Sequence, residues 1–192
     1  MSSARARVDE AGEHFSAAAA PAAAMPALRA MRVADLDGVA AIENRAYAFP
    51  WSRGNFVDSL AAGYLARVLL APEPAGTARP VPPPPLLGYY LAMPGVEEMH
   101  LLNLTVAPEY EHRGHARSML RHLVVASREA GARTLWLEVR ESNLRARQLY
   151  ERWGFQAVGL RKGYYPAAQG QREHAIVMSL PLTADGADHA LE

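Results

Sequence analysis

The sequence predicts a single α/β (α+β) domain, with a mixed, mostly antiparallel central sheet flanked by helices. Three observations predict it. Runs with strand character alternate with runs whose apolar residues recur at helical spacing. A strand ending at Val106, a helix over 114–130 and the strand TLWLEVR at 134–140 together make a β-α-β core across residues 98–138. No internal repeat or second apolar core interrupts the chain, and its 192 residues suit one domain with a tail.

The elements follow in order. Residues 27–33 read as a first strand, with Leu28, Met31 and Val33 as its apolar positions. Asp35 has the chemistry of an N-cap for a helix to about Ala46, with Leu36, Val39, Ala40 and Ile42 as the apolar stripe. Pro50 ends that run, and Ser52 caps a short helix carrying Phe56 and Leu60, closed near Gly63. Residues 64–71 and 86–93 are strand-like. The connection APEPAGTARPVPPPP between them holds seven of the chain's 14 prolines, so it cannot be a strand interior. An exposed loop over 72–85 is expected, the alternative being a proline-rich ligand for a recognition domain.

Residues 96–106 predict a fourth strand, with Leu102, Leu104 and Val106 on one face. In the following helix Ala116, Met119, Leu120, Leu123, Val124 and Ser127 keep helical spacing, and Gly131 stops it. TLWLEVR is rich in branched and aromatic residues, as a buried strand requires. Ser142 or Asn143 caps a helix to about Trp153, ended by Gly154, and residues 155–161 and 172–180 supply two last strands. The domain is expected over 27–182. An alanine-rich extension over 1–26 and a tail over 183–192 are expected to be disordered, because alanine offers little apolar area against ordering entropy.

Composition excludes several classes. There is no cysteine, which removes disulfides, thiolate metal sites and cysteine nucleophiles. Twenty basic residues balance twenty acidic ones, so nothing draws the whole protein to nucleic acid or an anionic membrane. No window approaches the ~20 apolar residues of a membrane span. The alanine run near the N-terminus faintly imitates a secretory signal, but Asp9, Glu10 and Glu13 interrupt the basic region, and a cytoplasmic monomer is expected. His112 and His115 sit i, i+3, yet the seven histidines do not cluster with carboxylates, so no metal is expected.

The chemistry gathers around EYEHRGHARSML at 109–120. A strand, a turn and a glycine at a helix entrance aim free N–H groups and the positive helix end at an anion. Gly114 and Ala116 keep that entrance small, while His112, Arg113, His115 and Arg117 add positive charge against Glu111. In the next strand, Trp136, Glu138 and Arg140 share the face opposite Leu137 and Val139. A partly desolvated Glu138 would suit a general base; otherwise it is a carboxylate paired with Arg140 or Lys162. Tyr150 shares a helix face with Ala146, Arg147 and Trp153, and is either a core residue or Glu138's companion.

The GCN5-related N-acetyltransferase (GNAT) superfamily has the signature Q/R-x-x-G-x-G/A before its central helix, and the turn at Gly114 resembles it. AIENRAYAFPWS at 41–52, LWLEVRESN at 135–143, LYERWGF at 149–155 and RKGYYP at 161–166 resemble one branch of it, the bacterial ribosomal-protein alanine N-acetyltransferases. The resemblance covers about residues 28–182. It implies the GNAT fold and acetyl-CoA as co-substrate, lying along Leu104, Thr105 and Val106. Its pyrophosphate would meet the turn of His112, Arg113, Gly114, His115, Ala116 and Arg117, with Asn143 a further cofactor contact. It implies Glu138 as general base and Tyr150 as general acid, with Phe49, Trp51, Tyr164 and Tyr165 flanking the acceptor peptide.

Two positions depart from the pattern. Glu111 stands where the superfamily has Gln or Arg, and an exposed acid there should weaken cofactor binding unless it turns away or pairs with Arg113 or His115. Gly163 replaces a residue that is often polar in the branch. The implied activity is acetyl transfer to the N-terminal alanine of a small-subunit ribosomal protein (number eighteen). Two other readings stand beside it: the same chemistry on a lysine or small amine, and a non-catalytic acyl-CoA-binding module.

Overall fold

The computed structural model describes residues 25–72 and 83–182. Most of the expected N-terminal extension, most of the proline-rich connection and the whole expected C-terminal tail lie outside those residues. Seven strands form one sheet, β1 (Ala27–Ala30), β2 (Leu65–Leu70), β3 (Leu86–Pro94), β4 (Glu98–Val106), β5 (Thr134–Arg140), β6 (Gln156–Pro166) and β7 (Arg172–Pro181). Four helices accompany them, α1 (Leu36–Ala46), α2 (Arg53–Ala61), α3 (His115–Glu129) and α4 (Leu144–Arg152). The strand order is β1-β2-β3-β4-β5-β7-β6, antiparallel except where β4 meets β5. The predicted mixed, mostly antiparallel α/β architecture is therefore observed.

Two apolar layers sandwich the sheet. On one face Leu36, Val39 and Ile42 of α1 and Phe56 of α2 pack on Val68, Tyr89 and Leu91. On the other, Met119, Leu120, Leu123 and Val124 of α3 pack on Tyr90, Met99, Leu101 and Leu137, joined by Tyr150 and Trp153. Those four α3 side chains are fully buried, each contributing about 2 kcal/mol by area removed from water. Ser52 caps α2 by accepting from Asn55 N at 3.2 Å, and Asn143 caps α4 by accepting from Ala146 N at 3.1 Å. Asp35 behaves otherwise. Its carboxylate takes the Arg29 fork at 2.7 Å and Arg32 N at 2.7 Å, folding residues 33–35 into a short 3-10 turn that ends β1 early.

The fourth strand departs from its expected alternation. Leu91 faces Asn103 and Ala92 faces Leu101, so Leu102 is an extra residue, a β-bulge. Leu102 turns outward, while Leu104 and Val106 lean on the α3 core and Asn103 and Thr105 point to the α1 side. Parallel pairing with β5 ends just before the bulge, at Leu101 opposite Leu137. Beyond it, residues 103–106 pair only with β3, which leaves backbone groups of their other edge facing a wedge between the two strands.

Candidate active site

Two clefts occupy that wedge. The larger, about 540 Å³, runs from the β4 edge to the entrance of α3 and the start of α4. Leu104, Thr105, Val106, His112, Gly114, His115, Ala116, Arg117 and Asn143 all line it. Arg113, expected among them, does not. Its guanidinium lies 5.5 Å from the Tyr110 ring centroid and donates to Glu109 O at 3.4 Å, directed away along the preceding turn.

The turn itself is held by backbone conformation. Gly114 (φ 82°) and His112 (φ 62°) both lie in the left-handed region. A Cβ on Gly114 would meet nothing within 4 Å, so the glycine is required there by its φ, and the open space beside it is the cleft. Burial holds the His115 imidazole below its ordinary value, helped by Arg113. Glu111 pairs with neither Arg113 nor His115 but with Arg145 of α4, at 2.6 Å.

The second cleft, about 310 Å³, opens between residues 101–104 of β4 and 137–140 of β5. Phe49, Trp51, Tyr165 and Glu138 line it. Tyr164 does not, but the Glu138 carboxylate, helped by burial, raises its phenol's pKa. Glu138 is half-buried and ion-paired with Arg161 Nη2 at 3.0 Å. Its partner is thus neither Arg140 nor Lys162, and its surroundings are polar where a desolvated site was expected. Arg140 is instead held by Glu173 at 3.1 Å and stacks over the rings of Tyr165 (4.4 Å) and Phe49 (5.8 Å), bracing one wall. The Tyr165 hydroxyl donates to Glu138 O at 3.0 Å and fixes the strand beneath the carboxylate.

The two clefts meet at Tyr47, Leu104, Asn143, Ala146 and Tyr150. Tyr150 is 8% exposed and packs on Phe155, with ring centroids 5.5 Å apart. It is a core residue, and it also lines both clefts. Burial pushes its phenol well above the ordinary value, so it stays protonated across the physiological range.

A polar network that sequence reasoning missed supports this junction. Glu43, 1% exposed, accepts from Trp51 N at 2.9 Å, from the Tyr89 hydroxyl, and from Asn103 Nδ2 at 3.4 and 3.3 Å. Asn103 Oδ1 accepts from Thr105 Oγ1 at 2.7 Å. With that hydrogen committed, the Tyr47 hydroxyl is the donor in its 2.9 Å bond to Thr105. The signal was present in α1, where Glu43 follows Leu36 and Val39 at i+7 and i+4 on the apolar stripe. Among the described residues no cluster of three or more histidines and acids could hold a metal ion, and no helix is long and apolar enough to cross a membrane.

A sheet split between its fourth and fifth strands, with a glycine-entered helix at the mouth of the split, defines the class. The chain belongs to the Acetyltransferase (GNAT) family, whose sequence profile matches residues 36–155. It is 36% identical over 159 residues to the [ribosomal protein bS18]-alanine N-acetyltransferase of Salmonella typhimurium, covering 83% of this chain and 99% of that one. The crystal structure of the ribosomal-protein-S18-alanine N-acetyltransferase from Escherichia coli superposes with a TM-score of 0.71 at 35% identity, over 84% of this chain and 97% of that one. The fold is also that of Arabidopsis thaliana NAA60 in complex with acetyl-CoA, with a TM-score of 0.69, 19% identity, and 82% and 99% of the two chains covered.

Proposed function

We propose that the protein is an acetyl-CoA-dependent Nα-acetyltransferase that modifies a protein N-terminus, its acceptor being the N-terminal alanine of ribosomal protein bS18, in the cytoplasm. The observation that carries the reading is the meeting of two clefts at Tyr150, one lined by the glycine-entered start of α3 and the other by Glu138 and aromatic walls. The similarity to bS18-alanine N-acetyltransferases along nearly their whole length supports the choice of acceptor.

The cleft suits the cofactor. Free N–H groups at the start of α3, with His112, His115 and Arg117, fit a diphosphate, and the one-sided β4 edge fits an extended amide chain. Acetyl-CoA supplies the acetyl group as an activated thioester. Glu138, ion-paired with Arg161, takes the proton that the acceptor's α-ammonium must lose, directly or through a water. An α-amine titrates near ~7.7–8.0, so a carboxylate base suffices near neutral pH. The amine's lone pair forms the new N–C bond as the C–S bond breaks. Tyr150, protonated throughout, donates its O–H to the departing sulfur, and backbone N–H groups of β4 polarise the carbonyl.

Steady-state turnover of an alanine-headed peptide tests these roles. Tyr150→Phe should lower kcat about 10- to 100-fold while acetyl-CoA affinity stays near wild type. Undiminished turnover removes Tyr150 from the mechanism.

A further inference from the structure

The carboxylate of Glu111 and the guanidinium of Arg145 face each other across the mouth of the larger cleft, and both line it. Arg145 Nη1 lies 2.6 Å from Glu111 Oε2, His112 Nε2 is 3.8 Å from the same oxygen, and Arg145 Nη2 is 3.4 Å from His112 Nδ1. The three side chains come from two elements, the turn before α3 and the first turn of α4. The Arg145 side chain remains 60% exposed and that of Glu111 37%.

We infer that Arg145 is a cofactor-binding residue which transfers from Glu111 to a cofactor phosphate, so that Glu111 acts as a resident competitor for the anion. This rests on reading the larger cleft as the acetyl-CoA site. An exposed ion pair of this kind is worth little, because water solvates both charges and two long side chains must be held. A phosphate accepts the planar fork in bidentate, charge-assisted hydrogen bonds and brings a larger charge. The helix entrance repels Arg145 when empty and stops repelling it once a diphosphate sits there. The acid that the turn carries in place of a Gln or Arg is thereby compensated from α4.

Calorimetric titration of acetyl-CoA into wild type, Glu111→Gln, Arg145→Ala and the double variant tests the inference, with thermal melts confirming that each is folded. Glu111→Gln should tighten binding about two- to fivefold, since Arg145 is then unmasked. Arg145→Ala made in the Glu111→Gln background should weaken it about 10-fold and flatten its dependence on salt. Equal affinity of Glu111→Gln and the double variant overturns the inference, because Arg145 would then do no more than neutralise Glu111. Absence of binding by folded wild type refutes the acetyl-CoA reading of the cleft itself, and the inference with it.

Discussion

Replacing Glu43 by glutamine probes the polar network beside the proposed acceptor cleft. The carboxylate is 1% exposed and accepts from three groups on three segments, Trp51 N, the Tyr89 hydroxyl and Asn103 Nδ2. A hydrogen bond to a charged acceptor contributes about 1.5–3 kcal/mol. Glutamine retains one oxygen, enough for Trp51 N, but sets an NH₂ donor among the donors of Tyr89 and Asn103. The expected loss is therefore about 2–3 kcal/mol of stability. Tyr89→Phe removes the partner hydroxyl and should cost about 2 kcal/mol alone. Because the two changes delete one shared interaction, the double variant should be more stable than additivity allows by about 1–2 kcal/mol, read from denaturant unfolding of all four proteins. The acceptor's KM should rise more than that of acetyl-CoA, since Trp51 lines only the second cleft, the proposed acceptor site. Additive stabilities would refute the network, and unchanged acceptor KM would refute its link to the site.

Two further outcomes follow from the geometry. At Gly88 of β3, an added Cβ would lie 2.5 Å from Thr105 O and 3.1 Å from Met119 Cε, so Gly88→Ala must displace the β4 edge. It should destabilise the fold by about 1–3 kcal/mol and weaken acetyl-CoA binding, whereas wild-type values in both assays would contradict the proposed cofactor edge. Asp35 is held below the ordinary carboxylate range chiefly by the Arg29 fork, helped by Arg32 N. A depressed acid stabilises above its unfolded pKa of about 3.9, and that contribution fades as pH falls through its lower folded value. Asp35→Asn should thus cost about 1 kcal/mol at pH 7 and progressively less as pH falls below about 3.9, and a pH-independent difference would refute the pairing.

The regular parts of this fold could be read from period alone. In α3 the helical stripe and in β5 the alternation of Leu135, Leu137 and Val139 are dictated by burial on one face, and the structure keeps both. The β4 bulge was illegible, because Leu101, Leu102 and Leu104 satisfy either alternation and only pairing with β3 decides which turns out. Glu43 left a trace as an acid on an apolar stripe, yet its partners lie 8, 46 and 60 residues away. The pairing of Glu111 with Arg145 spans 34 residues and exists only because α3 and α4 flank one cleft. Glu138 and Tyr150 drew attention through their own chemistry. Phe49 and Trp51, in a segment without periodicity, were singled out by family resemblance, and the second cleft has both in its lining.

The central claim is transfer of acetyl to a protein N-terminus headed by alanine. The most direct test incubates the protein and acetyl-CoA with peptides that differ only in their first residue, beside a peptide with a blocked N-terminus and an internal lysine, and locates the product by fragmentation mass spectrometry. One acetyl group should appear on the α-amine of the alanine peptide, at a rate well above its neighbours, and none on the blocked peptide. Acetylation of the lysine peptide in preference to the free alanine N-terminus would contradict the account.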